Sequence, residues 1–212
     1  MLQWKSLEGA LRNTKMRKKV IIIGAGGHAN VVADIIKKSG DSVVGFLDDF
    51  SKGENILGSI DKCTEFNEYY FVIGIGNNSV RRKIAETYKA LKYHTAIHPT
   101  AVIGEDVCIG NGTVVMANAV INSGTKIRNH CIINTAGVIE HDNDIADYVH
   151  VSPNATLCGT VSVGANTHIG AAAVVKNNIS ICNDVVVGCG GCVVKDITVP
   201  GVYTGVPARL SK

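Results

Sequence analysis

Residues 127 to 157 read "IRNHCIINTAGVIEHDNDIADYVHVSPNATL", and every sixth position in that stretch is aliphatic: Ile127, Ile133, Ile139, Ile145, Val151 and Leu157. The step continues backwards through Ile121, Val115 and Ile109 to Ile103. Forwards it runs through Val163, Ile169, Val175, Ile181, Val187 and Val193 to Val199. Where about one residue in three is aliphatic, a run of seventeen hits at one spacing is not chance, and neither a helix nor an alternating strand has a period of six. The repeat is therefore a structural unit.

Two places before the aliphatic residue the side chain is usually small or β-branched, as at Ala101, Thr113, Ala119, Thr125, Gly137, Ala155, Thr167 and Ala173. A tight interior would select such residues. Directly after the aliphatic residue stands a glycine or another turn former, as at Gly104, Gly110, Asn122, Asn134, Gly164, Gly170 and Gly188. Each hexad reads as one short strand and one turn, and hexads of this kind build a parallel β-helix. Three hexads close one triangular coil. The run gives between five and six coils, stacked at the inter-strand spacing of roughly 4.8 Å.

The first half follows another pattern. "KKVIIIGAGGHANVVADIIKKSG" (18–40) reads as a buried strand over Val20 to Ile23, a glycine turn, and an amphipathic helix with Val31, Val32, Ile35 and Ile36 inward. "DSVVGFLDD" (41–49) supplies a second strand ending at Asp48 and Asp49, and "YYFVIGIGNNSVRRKIAETYKAL" (69–91) repeats strand, turn and helix. Alternating strands and helices predict a small parallel sheet with ligand sites at the strand carboxyl ends. Gly24, Gly26 and Gly27 allow a ligand close to the backbone, and the helix start behind them favours an anion. The spacing departs from the dinucleotide signature G-x-G-x-x-G, and a tight turn that binds nothing is the competing reading. His28 opens the helix.

The whole chain has 212 residues and a formal charge of +3, with no basic tract, so a nucleic-acid partner is not expected. No apolar run has the length of a membrane span. The seven cysteines are odd in number and scattered through the repeats, which suits reduced thiols and a cytoplasmic protein. Cys189 and Cys192 form a lone C-x-x-C without the second pair that zinc would want, and packing is the better reading. Residues 1 to 16 read as an extension outside the fold.

Taken in order, the G-x-G-G-H turn, "GIGNN" (74–78), "IHPTAVIG" (97–104), "IEHD" (139–142) and "GVPA" (205–208) resemble the sialic-acid O-acetyltransferase family. The likeness is to its bacterial branch, which N-acetylates nucleotide-linked 4-amino-4,6-dideoxy sugars, and it covers about residues 17 to 210. It implies a Rossmann-like nucleotide-sugar-binding domain over 17–97 and a left-handed β-helix with a C-terminal tail over 98–212. It also implies acetyl-CoA as donor, no metal, a homotrimer with sites between subunits, and a nucleotide-sugar acceptor, UDP-linked by preference.

An amine or alcohol attacking a thioester must lose a proton, and an imidazole with its ordinary pKa near 6.5 can take it. His141 falls two places after core Ile139, at a turn edge facing outward. Asp142 is placed to orient it, with Glu140 as the substitute acid. The competing reading is a solvated polar cluster on a prism surface. The resemblance further implies that His150 contacts the acetyl group or the sugar, that Asn134 lines the same pocket, and that the Gly159 N–H faces the thioester carbonyl. Arg209, in the segment that closes over the pantetheine arm, would meet a coenzyme A phosphate. Gly26, Gly27, His28, Asp48 and Asp49 would shape the sugar-nucleotide pocket. Sialic acid O-acetylation is the alternative activity. A zinc carbonic anhydrase is a remote third, prompted by His150 and His168 standing one coil apart.

Overall fold

The computed structural model describes residues 17 to 211, so the extension over 1–16 lies outside the described residues. The chain opens with β1 (Lys19–Ile23), α1 (Gly27–Lys38), β2 (Ser42–Leu47), β3 (Ile56–Gly58), a 3-10 turn (Ile60–Glu65), β4 (Tyr70–Ile73) and α2 (Asn78–Thr87). The four strands form one parallel sheet in the order β3-β2-β1-β4. Val20 through Ile23 are fully buried, as a strand covered on both faces requires. In α1 the inward stripe is Ala29, Val32, Ala33, Ile35 and Ile36. Val31, expected inward, is 47% exposed, because at 100° per residue it points away from that stripe. The short β3 and the 3-10 turn carry no periodicity and were not legible.

Asp48 directly follows β2 and clamps two loops. One carboxylate oxygen accepts from Ala25 N (2.9 Å), in the turn after β1, and the other from Phe50 N (2.9 Å) and Ser51 N (2.7 Å). Burial pushes this carboxyl upward, but the backbone donors Phe50, Ser51 and Ala25 together outweigh it and hold it below the usual aspartate range. Asp49 is likewise engaged, accepting from Ile60 N at 2.9 Å.

From Ala96 onward the chain is a stack of short strands on three faces. A five-stranded face holds Lys126–Ile127, Asp144–Ile145 and Ser162–Val163. An eight-stranded face holds Val114–Val115, Ile132–Ile133, His150–Val151 and His168–Ile169, and a six-stranded face holds Val120–Ile121, Val138–Ile139 and Thr156–Leu157. Partners within the stack are parallel and eighteen residues apart, as Ile132 pairs with His150 and His150 with His168. The aliphatic ladder is at most 3% exposed from Val115 to Val193. Its ends depart from the expected run: Ile103 is 37% and Val199 55% exposed. At the far end Ile197 bridges Ile181, sixteen residues on rather than eighteen, and takes the interior place two residues early.

The corners are not where the glycines suggested. The residue in the left-handed region stands three places after each aliphatic residue, from Asp106 (φ 57°) through Asp142 (φ 58°) to Gly190 (φ 67°). Gly104, Gly110, Gly164 and Gly170 instead sit against the next coil's backbone; a Cβ on Gly110 would lie 2.5 Å from Arg128 C. Inside the prism the buried threonines do more than fit. Thr125 Oγ1 donates to Glu140 O (2.9 Å) and accepts from Asn143 N (3.3 Å), and Thr113 and Thr167 repeat this bridge between coils.

The α/β unit lies on the eight-stranded face, where α1 packs on Val114, Met116 and Ile132. That contact leaves the next rungs of the face, His150 and His168, beside the start of α1 and the loop before α2.

Two outcomes test these local arguments. Thr160 is an exposed β-branched residue held at φ 60°. Thr160→Asn should raise stability by about 1 kcal/mol in urea unfolding, since asparagine tolerates that region better; an unchanged or lower midpoint counts against the strain. Asp48→Asn should cost about 1 kcal/mol or more at pH 7. A carboxyl lowered in the folded state stabilises above its unfolded pKa, and the benefit fades as pH falls through the folded value. The gap between the two proteins should therefore shrink below about pH 4, and a gap independent of pH would refute the carboxylate clamp.

Candidate active site

His141 stands on the corner that joins the six-stranded to the five-stranded face, between Val138–Ile139 and Asp144–Ile145. Its Nδ1 is 2.9 Å from Asp142 Oδ2, with both side chains more than half exposed. A carboxylate can only accept, so Nδ1 carries the proton and, in the neutral ring, Nε2 keeps its lone pair. Glu140, the substitute acid, is engaged elsewhere: it accepts from Asn122 Nδ2 at 2.8 Å. The backbone beneath is fixed from inside, because Thr125 Oγ1 and Asn143 Nδ2 both donate to Glu140 O and Asn143 Nδ2 also reaches His141 O (3.3 Å) and Cys158 O (3.1 Å).

Two glycines one coil away give the dyad its room. A Cβ on Gly159 would lie 2.5 Å from His141 Nε2, and one on Gly124 would collide with the Asp142 carboxylate. The backbone around the dyad is also left unspent. On another corner Asn111 N donates to Asn129 Oδ1 and Asn129 N to Asp147 Oδ1, whereas His141 N and Gly159 N make no hydrogen bond among the described residues. The residue whose Cα faces the His141 ring, Gly159, therefore also carries an unspent backbone N–H. Sequence spacing contained this signal, since Gly159 is His141 plus eighteen, but only the coil register gives it meaning.

A second centre lies on the eight-stranded face. A cleft of about 550 Å³ is lined by Gly76, Asn77, Asn78, Ser79, His150 and His168, among others. Asn134 Nδ2 donates to His150 Nε2 at 3.0 Å, which joins two of the expected pocket residues. The His150 and His168 rings stack at 4.7 Å and 2°, and His28, from the start of α1, lies 6.5 Å from His150. His168 Nε2 shares a 2.7 Å hydrogen bond with Ser152 Oγ, so the two stacked rings face separate partners rather than converging on one point, as zinc would need. Burial, then the charges of His168, Arg81 and His28, push His150 down to about 3 against an opposing hydrogen bond to Gly76. His28 is lowered to about 4 by burial and Arg81, and His168 is lowered by the same causes. These imidazoles are neutral near pH 7 and serve as hydrogen-bonding surfaces.

The glycine turn divides into two roles. Gly24 has φ 100° and a Cβ there would meet Ile75 at 2.7 Å, so it is needed by the turn itself. At Gly26 and Gly27 a Cβ would meet nothing within 4 Å, leaving the start of α1 open to a ligand. Asp48 and Asp49 border a separate cleft of about 650 Å³ at the carboxyl end of the sheet, where Ile75, Val80 and Ile84 form an apolar wall. Arg209 is exposed on the C-terminal hairpin and donates to Ala208 O. Cys189 is exposed and unpaired, so packing does not explain it; Cys63 and Cys131 are the cysteines that are buried. Sequence reasoning missed Arg81 and Ser152, which carry no motif, and gave Asn78 of the "GIGNN" turn no role of its own.

Residues 19–88 match the family model described as the PglD N-terminal domain. The acetyltransferase domain of PglB from Neisseria gonorrhoeae, solved with acetyl coenzyme A, superposes with a TM-score of 0.88 at 32% identity, covering 92% of this chain and 100% of that one. PerB from Caulobacter crescentus, solved with CoA and GDP-perosamine, gives 0.87 at 33% identity over 92% of this chain and 97% of that one. A UDP-N-acetylbacillosamine N-acetyltransferase from Bacillus subtilis is 41% identical over 112 residues, 47% of this chain and 52% of the relative. With its parallel α/β sheet joined to a six-residue-period β-solenoid, and its likeness to PglB and PerB along nearly the whole length, the chain belongs to the hexapeptide-repeat N-acetyltransferases of nucleotide-linked amino sugars.

Proposed function

We propose that this protein transfers the acetyl group of acetyl-CoA to the 4-amino group of a nucleotide-linked 4-amino-4,6-dideoxyhexose, for glycan or glycoprotein assembly, with His141 as general base. The observation that carries the reading is the 2.9 Å contact from His141 Nδ1 to Asp142, which leaves the Nε2 lone pair over Gly159. The neutral amine attacks the thioester carbonyl carbon, and Nε2 takes its proton as the C–N bond forms. The oxyanion is met by a backbone donor, a role that suits the unspent Gly159 N–H. Collapse of the intermediate expels the coenzyme A thiolate. Arg209 is a candidate partner for a coenzyme A phosphate.

The acceptor would lie along the Gly26–Gly27–His28 turn and the cleft lined by His150, with Asn134 paired to that histidine and with Asp48 and Asp49 holding the loops after the sheet strands. The Gly26–His28 turn, Asn134 and His150 lie on or beside the eight-stranded face, whereas His141 occupies the corner opposite that face in the triangular cross-section. One chain thus presents the base and the acceptor cleft on different sides. A homotrimer in which the corner of one subunit meets the cleft of the next would complete the site. Both UDP- and GDP-linked acceptors occur in the names of the relatives, and the UDP form is the one proposed here. No helix among the described residues is long and apolar enough to cross a membrane. A cytoplasmic site of action is part of the proposal.

The direct test is a panel of UDP- and GDP-linked 4-amino sugars and free sialic acid with acetyl-CoA, read by mass spectrometry. Acetylation of a UDP-linked 4-amino sugar is expected, and O-acetylated sialic acid with untouched amino sugars would defeat the reading. His141→Ala should lower turnover by roughly 10²–10⁴ while leaving the fold intact. Gly159→Ala, whose new methyl displaces the ring, should cost about tenfold or more at an unchanged melting temperature. Normal turnover in either at saturating substrates would remove that residue from the mechanism. Co-expressing His141→Ala chains with His150→Ala chains should restore part of the activity if corner and cleft come from different subunits, and no recovery would speak against a shared site.

A further inference from the structure

The loop between β4 and α2 forms one wall of the cleft that holds His150 and His168, and a single buried cation carries it. Arg81 is 1% exposed. Its Nε donates to His130 O (2.7 Å), Nη1 to Ile75 O and Gly76 O (both 3.1 Å), and Nη2 to Asn78 Oδ1 and Tyr148 O (both 2.8 Å). All five donors of the guanidinium are used, and none meets a carboxylate. Asn78 passes the link on, its Nδ2 donating to Asn166 O (3.1 Å) and Thr167 O (3.0 Å).

The acceptors follow a rule. His130, Tyr148 and Asn166 stand eighteen residues apart, so they are one edge of the prism on three successive coils, and each is in the left-handed corner conformation. Arg81 and Asn78 therefore fasten the Ile75–Asn78 loop to three coils at once. Two residues beyond Tyr148 and Asn166 begin the His150 and His168 strands. A buried charge without a counter-ion is expensive, and an apolar side chain of similar volume would hold two surfaces together at least as well. A planar fork provides orientation, which an apolar contact does not.

We propose that Arg81 is a positioning residue: with Asn78 it seats the Ile75–Asn78 loop on the prism edge, and so sets the gap between that loop and the His150 and His168 rungs where the acceptor nucleotide sugar is held. The inference rests on the acceptor reading above. It agrees with the electrostatics of the cleft, since the Arg81 charge reaches His28 from α1 and His150 and His168 from the prism, and helps to keep all three neutral.

Arg81→Lys keeps the charge but not the fork. The acceptor KM should rise about tenfold, while the acetyl-CoA KM stays within about twofold of wild type. Asn78→Ala should move the acceptor KM in the same direction, and the double variant should be no worse than Arg81→Lys alone, because both act on one loop. An acceptor KM within twofold of wild type in folded Arg81→Lys, an equal rise in both KM values, or additive effects in the double variant would overturn the proposal. If the wild-type protein acetylates no 4-amino nucleotide sugar, the acceptor reading fails on its own. The seat is then tested without substrate by hydrogen exchange at Gly76 to Ser79: faster exchange in Arg81→Lys supports it, and unchanged exchange overturns it.

Discussion

A backbone that turns through the left-handed region once every six residues sets the geometry of everything else in the chain. Three such corners close a coil, so residues eighteen apart stack on one line, and each chemical feature of the protein is a column read along that line. His141 lies against Gly159, Asp142 over Gly124, His150 on His168, and His130 below Tyr148 and Asn166. A left-handed corner costs an ordinary residue roughly 1–2 kcal/mol. The chain meets that cost largely with asparagine, aspartate and glycine, and Asp142 is one of these corner residues. The acid of the dyad is therefore an aspartate in a conformation aspartate tolerates, placed where its short side chain reaches the neighbouring ring.

Burial of polar groups is managed by the same stacking. Thr113, Thr125, Asn143 and Thr167 lie inside the prism and connect one coil to the next through backbone carbonyls and N–H groups. Each interior hydroxyl or amide is satisfied, so it ties coils together instead of weakening the core. Thr125 and Asn143 also hold the Glu140 carbonyl, which makes the interior directly responsible for the orientation of His141. The rigidity needed at the exposed corner is supplied from within.

The α/β unit depends on the prism in turn. Its helix α1 covers Val114, Met116 and Ile132, and its loop before α2 is tied by Arg81 and Asn78 to the prism edge. The surrounding imidazoles are neutral because they are buried beside a cation, and neutral rings can pair with Asn134 and Ser152 without drawing in counter-ions. The two halves are thus coupled at one wall, where an acceptor held by the sheet unit would face the β-helix.

The period of six, read from Ile103 to Val199, determined the solenoid by itself, because a repeat with no helical or strand period leaves few ways to bury its aliphatic row. The glycine turn and the alternation around it likewise determined the parallel sheet. The contact between His141 and Asp142 was legible because the two are neighbours at a turn edge, whereas the role of base was implied only by the family resemblance. Other assignments came out differently. Val31 and Val199 are aliphatic yet exposed, since a helical phase and an early exit from the last coil decided their side. Asp48 and Asp49 are bound to backbone N–H groups of neighbouring loops, which their position at a strand end did not reveal. Arg81 could not be found in the sequence at all, and Asn78 stood in the "GIGNN" turn without its tie to the prism showing, because their acceptors are mostly backbone carbonyls, which every residue possesses. Their roles were decided by the tertiary structure alone, which brings carbonyls from three coils within reach of one helix.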